Sequence, residues 1–294
     1  MRITHRMVSD TTIKNLRNNL ERLESLHNEI TTGKKLSRPS DDPSAVARTL
    51  TYKGDLAAGE AYLRTMDAST TWLNATDDAL SEAGNLLQRA RELAVQGANS
   101  VLTPGDMANI GAEVDHILSQ MIVTGNASLR GQRLFAGEAI DADPFVASGS
   151  APGFTYSGDT GTMEREYDLN AYVTINTPGQ ATLGPAITAL FNLRANLLAG
   201  NNAAISSGDL TAIDGAIDTI LAARAEVGAK TNRLEAAQGR QSLLQVNLEE
   251  LRSKSEDTDL AESISKFSVQ ETVYKASLEV GGKAIQPSLL DFLR

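Results

Sequence analysis

The chain has 294 residues, and its 27 Lys and Arg against 37 Asp and Glu give a net charge of −10 at pH 7. This charge is the opposite of the basic surface that nucleic-acid binding requires, so we expect no nucleic-acid partner. The absence of cysteine excludes disulfides and thiol chemistry. No segment approaches the ~20 apolar residues that span a bilayer, and the N-terminal segment lacks the continuous apolar run of a cleaved secretory signal. We therefore expect no membrane insertion and no export through such a signal.

The first predicted element is an amphipathic helix that ends at Gly33. From Met1 to Thr32 there is neither Gly nor Pro, and His27 lies in a pattern of alternating spacings of three and four. The apolar members of this pattern are Ile13, Leu16, Leu20, Leu23 and Ile30. A helix with one apolar stripe is stabilised mainly by burying that stripe, so this helix is predicted to have a partner.

The far end of the chain repeats the pattern. Between Gln241 and Val280 there is again no Gly or Pro, and Glu271 is the polar exception in the stripe. The apolar members are Leu260, Ile264, Phe267, Tyr274 and Leu278. Two such stripes predict that the terminal helices pack together, either as neighbours in an ordinary bundle or together with a partner molecule.

The second predicted helix begins after the segment SRPSDDP. Asp42 can accept hydrogen bonds from the free N–H groups of a new helix, and Pro43 suits its first position. The next proline is Pro104, which predicts a helix from Ser44 to Leu102. A turn and cap at residues 103–106 precede a further amphipathic helix. Another long helical arm is predicted from the spacing of Ile213, Ile217, Ile220, Val227, Leu234, Leu244, Leu248 and Leu251.

The middle of the chain has a different composition. Residues 137–186 hold seven acids and one base, seven of the 23 glycines and four of the eight prolines. Short alternating runs on either side of the turn at residues 158–161 predict a β-hairpin, and the run from Tyr172 predicts another short strand. We therefore predict a small β-rich domain inserted between two helical halves.

Together these elements predict a mainly α fold. We expect an elongated rod of paired long helices formed by both chain halves, with a small inserted β-rich domain and terminal coiled-coil-like helices. The predicted domains are a terminal helical assembly domain of residues 1–38 plus 256–294, a helical rod domain of residues 39–136 plus 187–255, and the β-rich domain of residues 137–186.

The sequence lacks the motifs of common catalytic sites. It contains no phosphate-binding loop, zincin motif or nucleophile elbow, and its three histidines lie far apart. Asp41–Asp42 and Asp77–Asp78 are adjacent pairs, which do not face each other on a helix and are better explained as helix starts. We predict that the protein is not an enzyme and binds no cofactor or metal.

Several segments resemble the flagellin superfamily. TTGKKLSRPSDDPSAVAR at residues 31–48 and the run from Tyr62 to Asn99 resemble its N-terminal half. GQRLFAG at residues 131–137 and YSGDTG at residues 156–161 resemble the hook-associated protein 3 family, the hook–filament junction proteins. RAEVGAKTNRLE and the ending YKASLEVGGKAIQPSLLDFLR are similar to that family too. The alternative is flagellin itself, to which the C-terminal Phe-Leu-Arg is also similar.

The resemblance implies a location and partners. It implies an extracellular protein of the bacterial flagellum that leaves the cell through the flagellar type III pathway, with its N-terminal segment as the export signal. It further implies an annular layer of copies of this chain between the first hook-associated protein and the flagellin filament, and contacts with an export chaperone and the export apparatus before assembly.

We expect the two terminal stripes to form the assembly interface. On assembly they should pack together and against neighbouring subunits, with apolar burial offsetting the cost of ordering. The candidate residues are Ile13, Leu16, Leu20, Leu23, Ile30, Ile264, Phe267, Tyr274, Leu278, Leu289, Leu290 and Phe292.

Overall fold

A computed structural model describes residues 5–36 and 38–285, and most of these residues are helical. The helices are α1 (His5–Thr32), α2 (Pro43–Gly97), α3 (Pro104–Gly125), α4 (Gly179–Leu198), the short α5 (Asn202–Ala204), α6 (Leu210–Glu256) and α7 (Leu260–Ile285). A π-helical turn at Ile205–Asp209 leads from α5 into α6.

Six short strands lie between α3 and α4. They are β1 (Ser128–Leu129), β2 (Gln132–Arg133), β3 (Phe145–Ala147), β4 (Phe154–Tyr156), β5 (Glu164–Asp168) and β6 (Ala171–Thr174). Consecutive strands form three separate antiparallel pairs, β1–β2, β3–β4 and β5–β6. The prediction of a mainly helical chain with an inserted β-rich region is confirmed.

The predicted hairpin across residues 158–161 is wrong. β4 pairs with β3, and β5 pairs with β6 across Leu169 and Asn170, with Asn170 at φ +57°. Asp159 explains the difference, because its Oδ1 accepts the backbone N–H groups of Glu138 (2.7 Å) and Gly161 (2.9 Å). These bonds hold the segment against residue 138 instead of closing a turn between β4 and β5.

Local capping sets the helix boundaries. Gly33, at φ +68°, ends α1 in the left-handed region that glycine adopts without strain. Thr103 and Asp106 form a reciprocal capping box at the start of α3, as the turn and cap at residues 103–106 predicted. α2 ends at Gly97, before the predicted Leu102, and Asn202 Nδ2 donates to the carbonyl oxygen of Gly97 at 3.1 Å, which satisfies a carbonyl that the helix end leaves free.

The chain divides into two compact units. The middle unit, Gly59–Leu243, contains α3, α4 and the strands. Its core is continuous, and its largest fully buried side chains are Met66, Leu73, Leu80, Leu87, Met121, Leu134, Phe135, Phe145, Leu183, Ile187, Leu190 and Leu193. α4 begins at Gly179, inside the range predicted as β-rich, where a Cβ would lie 2.2 Å from the carbonyl oxygen of Phe135.

The terminal unit comprises the described residues up to Ala58 and from Leu244 on. It contains α1, the first part of α2, the last part of α6, and α7. The break between α6 and α7 has no Gly or Pro, and Asp259 causes it by capping α7. Its Oδ1 accepts the backbone N–H groups of Ala261 (2.9 Å) and Glu262 (3.2 Å). The three-domain division at residues 38, 136, 186 and 255 stays a prediction.

Candidate assembly surface on the terminal helices

α1 and α7 pack antiparallel and form what we call the terminal pair. The side chains that face the partner helix recur at alternating spacings of four and three on both helices, as in a coiled coil. On α1 these seam positions are Thr12, Leu16, Asn19, Leu23, Leu26 and Ile30. On α7 they are Ser263, Phe267, Gln270, Tyr274, Ser277 and Gly281. Apolar side chains therefore alternate with polar or small ones along most of the seam.

Polar contacts and one glycine define how the two helices meet. Asn19 Nδ2 donates to Ser277 Oγ at 3.1 Å, and Gln270 Nε2 donates to the carbonyl oxygen of Asn19 at 3.4 Å. Gly281 is buried, and a Cβ there would lie 2.9 Å from Thr12 Cγ2. Such polar seam residues fix the register of helix pairs, because a shifted register would leave them without partners.

The structure divides the predicted interface residues into two groups. Leu16, Leu23, Ile30, Phe267 and Tyr274 are half-buried in the seam. The four exposed members are Ile13, Leu20, Ile264 and Leu278, whose exposed fractions lie between 40% and 54%. The remaining three, Leu289, Leu290 and Phe292, lie outside the described residues.

The exposed members share one side of the terminal pair. Ile13 follows Thr12, Leu20 follows Asn19, Ile264 follows Ser263 and Leu278 follows Ser277, so each is one residue after a polar seam position. In an antiparallel pair, positions one residue after the seam on the two helices lie on the same side. These four residues form what we call the exposed row.

A second set of exposed apolar side chains lies on the opposite side of α7. Val269, Val273 and Val280 follow each other at spacings of four and seven, and each is at least 42% exposed. Exposed apolar side chains that share one side of a helix are typical of an interaction site when they are clustered. Helix α7 therefore presents apolar side chains on both sides of its contact with α1.

Two chain segments cross at the base of the terminal pair and form what we call the joint, Gly33–Lys35 with Glu256–Thr258. The N–H of Lys35 donates to the carbonyl oxygen of Glu256 (2.7 Å), and the N–H of Thr258 donates to that of Gly33 (3.0 Å). These backbone bonds make a short antiparallel bridge between the α1–α2 and α6–α7 connections.

Glu256 is a buried carboxylate at the joint. Its Oε1 accepts hydrogen bonds from Lys34 Nζ at 2.5 Å and Lys53 Nζ at 2.9 Å, while its side chain is only 7% exposed. Burial raises the pKa of Glu256, but the hydrogen bonds and charges of Lys34 and Lys53 outweigh burial, so its pKa lies below the usual value. Glu256 is therefore charged at neutral pH and holds both connections together.

Glu29 adds a second polar contact beside the joint. Its Oε1 accepts a hydrogen bond from Thr258 Oγ1 and another from Ser263 Oγ at 3.2 Å. Sequence reasoning missed Glu29 and Glu256, because their partners lie more than 200 residues away along the chain. The Asp-Leu-Ala-Glu pattern at residues 259–262 is the local signal that could have located the start of α7.

The predicted cap of α2 is confirmed. Asp42 Oδ1 accepts the backbone N–H groups of Ser44 and Ala45, each at 3.0 Å, and Pro43 is the first helical residue. The bond from the N–H of Ala45 is the main cause that lowers the pKa of Asp42, with Ser44 adding to it. This cap therefore determines where α2 begins after the joint.

Neither a metal site nor a membrane span emerges from the described residues. Within residues 5–36 and 38–285, no three or more His, Cys, Asp and Glu side chains are grouped so that they could hold a metal ion. No helix in the same ranges is long and apolar enough to cross a membrane.

Two family models match the chain. The model of the bacterial flagellin N-terminal helical region matches residues 3–139, and that of the bacterial flagellin C-terminal helical region matches residues 210–293. Together they cover about three quarters of the chain, including both helices of the terminal pair.

Individual relatives and a solved structure agree with these matches. The chain is 23% identical to a flagellar hook-associated protein 3 of Escherichia coli over 94% of this chain and 95% of that protein. It is 24% identical to a flagellin of Bacillus subtilis over the full length of both. Its fold is similar to that of a putative flagellar hook-associated protein from Vibrio parahaemolyticus, with a TM-score of 0.68, 22% identity, and coverage of 74% of this chain and 100% of that one.

Proposed function

This chain belongs to the flagellin family, and from that premise we propose that it is a structural subunit of the bacterial flagellum that forms the junction layer between the hook-associated region and the flagellin filament. A hook-associated protein 3 matches nearly the whole chain, which supports the junction role. The structural observation that carries the proposal is the exposed row on the terminal pair, a surface that a neighbouring subunit can cover.

Assembly buries the exposed row against neighbouring subunits. Burying a large aliphatic side chain contributes about 1.5–3 kcal/mol relative to full exposure. Because each member of the row is about half exposed, covering it on assembly should contribute about 1 kcal/mol. The contact joins different surfaces of successive copies, and such heterologous contacts build rings or helical layers instead of closed dimers. Leu289, Leu290 and Phe292 extend the same interface at the C-terminus in this proposal.

The proposed neighbours follow from a junction layer. Copies of this chain lie side by side in the ring, the first hook-associated protein lies on the hook side, and flagellin lies on the filament side. Before assembly the chain is bound by an export chaperone and passes through the flagellar export apparatus. The final location is extracellular, reached through the flagellar type III pathway without a cleaved signal peptide.

The role is structural and not enzymatic. The relatives compared above are structural flagellar proteins, which supports this assignment. In the proposed division of labour, residues 1–38 and 256–294 form the assembly domain, residues 39–136 and 187–255 form the helical rod domain, and residues 137–186 form the β-rich domain.

Flagellin is the second candidate function. The match to the Bacillus subtilis flagellin spans both chains completely, which favours a filament subunit as the alternative. The two functions differ in one property that can be measured. A filament subunit polymerises alone into long filaments, whereas a junction subunit needs different neighbours above and below it.

An in-frame deletion tests the proposal. Electron microscopy of the deletion strain, with an assay for flagellin in the medium, is expected to reveal hooks without filaments and released flagellin. Hooks without filaments and without filament protein in the medium would identify this chain as the filament subunit. Normal flagella would contradict both functions, provided that the genome holds no second copy of the gene.

A further inference from the structure

The middle unit contains a cleft between α2 and two of the β-hairpins. One face of α2 forms a wall that includes Ser69 and Trp72, and the hairpins β1–β2 and β5–β6 form the other. The volume is 530 Å³, within the range of ligand pockets in proteins. Leu129 and Ile175 add apolar surface, so the cleft combines an apolar wall with polar groups.

Three arginines line this cleft, and no acidic residue does. Arg64 lies 3.8 Å from Glu60, with both side chains well exposed. The side chains of Arg130 and Arg165 form neither an ion pair nor a hydrogen bond with any residue that the structure describes. The guanidinium groups of Arg130 and Arg165 therefore have no carboxylate partner among the described residues, although the protein is acidic.

Arg130 occupies an unusual backbone position. It lies at φ +53°, followed by Gly131 at φ +85°, in the two-residue turn that joins β1 to β2. Such turns favour Asn-Gly, because positive φ is disfavoured for most other side chains. This turn therefore carries a guanidinium at the cleft in a conformation that disfavours arginine.

Trp72 contributes packing surface to the wall of the cleft. Its side chain lines the cleft and is 5% exposed. This wall is therefore apolar beside the three guanidinium groups.

From these groups we propose that the cleft binds a carboxylate-bearing segment of a second copy of this chain. Guanidinium groups bind carboxylates through paired hydrogen bonds, and the three arginines provide this chemistry. The apolar wall packs against the rest of the segment.

The charge of the chain favours a second copy as the source. Each copy has a net charge of −10, and residues 137–186 alone carry seven acids and one base. A copy therefore presents an excess of carboxylates to its neighbours, while Arg130 and Arg165 of the cleft remain unpaired. This inference rests on the proposed function for one point only, namely that copies lie side by side.

Site-specific crosslinking in isolated flagella tests the inference. A photo-crosslinking residue replaces Thr71, which lines the cleft, is exposed and carries no charge. Mass spectrometry of the products is expected to identify a peptide with Asp or Glu from a second copy of this chain. Crosslinks only to another flagellar protein, or no crosslinks, would overturn the proposal.

The double variant R130A/R165A provides the specificity test. It should lower the yield of the crosslinked dimer about tenfold, because it removes two guanidinium groups that bind carboxylate while solvent screens the bonds of exposed side chains. The matched control R240A removes an exposed arginine of α6 outside the cleft and should leave the yield unchanged. An unchanged yield in R130A/R165A would overturn the inference.

Tryptophan fluorescence and the deletion strain distinguish a damaged cleft or a wrong function from a wrong inference about the cleft. Trp72 is the single tryptophan, so an unchanged emission spectrum of the isolated variant reports an intact cleft wall. The proposed function is tested by the deletion strain, which does not depend on the cleft. If the deletion strain has hooks without filaments but the Thr71 variant gives no crosslink to a second copy, this inference is contradicted and the proposed function is not.

Discussion

Glu256 illustrates how a single residue can connect distant parts of the chain. Its partners Lys34 and Lys53 lie 222 and 203 residues away in sequence, which explains why no local pattern predicted the contact. The caps at Asp42 and Thr103 were predictable, because each bonds to backbone groups within three residues. Sequence reasoning at this scale finds local hydrogen bonds and misses those that depend on the fold.

Replacing Glu256 with Gln should loosen the joint. The neutral amide retains a weaker hydrogen bond to the lysines, so we expect the free energy of local opening to fall by about 1–2 kcal/mol after allowance for the half-exposed lysines. Amide hydrogen exchange of Lys35 and Thr258, which bond across the joint, measures this loss. The control E250Q changes an exposed glutamate of the same helix and should leave both amides unaffected.

The same amides should respond to pH. Because the folded-state pKa of Glu256 lies below its usual value, its contribution is present above the ordinary glutamate pKa and is lost as the pH falls through the folded-state pKa. The difference in opening free energy between the native chain and E256Q should therefore shrink in acid. A difference that grows as the pH falls would contradict this assignment.

Truncating the exposed row should impair assembly without unfolding the subunit. Leu20→Ala and Leu278→Ala each remove exposed apolar surface, and in the proposed interface the expected cost is about 1 kcal/mol per contact. Incorporation into flagella, quantified by immunoblotting, should fall in each variant and fall further in the double variant. Leu169→Ala, an exposed leucine between β5 and β6, is the control. Normal incorporation of the double variant would contradict an interface at this row.

The pairing of α1 with α7 reveals what periodicity can predict about an element. The alternating spacing of three and four predicted one apolar stripe on each helix, and both helices are present. The seam, however, also includes Thr12, Asn19, Gln270 and Ser277, so the observed contact face is rotated relative to the stripe. Hydrophobicity alone cannot identify a seam in which polar and small residues alternate with large ones.

Gly281 and Gly282 offer a matched test of this seam. Gly281→Leu should separate the helices, because a Cβ there already lies 2.9 Å from Thr12, and such overpacking costs about 1–3 kcal/mol. Hydrogen exchange of the α1 amides should accelerate accordingly. Gly282→Leu introduces the same side chain where nothing lies within 4 Å and should not accelerate it. Equal effects of the two variants would contradict the observed register.

The β-rich region could be predicted as a type of structure but not in its pairing. Its composition indicated short strands, and six are present. The hairpin partner of β5 was misassigned because Asp159 bonds to Glu138, a contact between residues 21 apart. The residues that indicate the observed hairpin of β5 and β6 are Leu169 and Asn170, since Asn tolerates the positive φ that this turn requires.

At the scale of the molecule, the two units differ in how deeply their side chains are buried. The middle unit has a continuous core with many fully buried side chains, whereas no described side chain of α1 is buried. Local opening requires less free energy where few apolar groups are buried. We therefore expect the terminal helices to open more easily than the middle unit.

Hydrogen exchange of the isolated chain should reflect this difference. We expect the amides of α1 and α7 to exchange at least tenfold faster than those of α3 and α4, because the latter helices pack into the core of the middle unit. In assembled flagella the difference should shrink as the exposed row is covered. Fully protected terminal helices in the isolated chain would instead indicate a soluble coiled-coil protein that is complete as a monomer.

The location of the protein along the flagellum tests the central claim most directly. Immunogold electron microscopy with an antibody against this chain, applied to intact and partially dissociated flagella, measures where the subunits lie. A junction subunit predicts label confined to the boundary between hook and filament. Label along the whole filament would contradict the junction role and identify a flagellin.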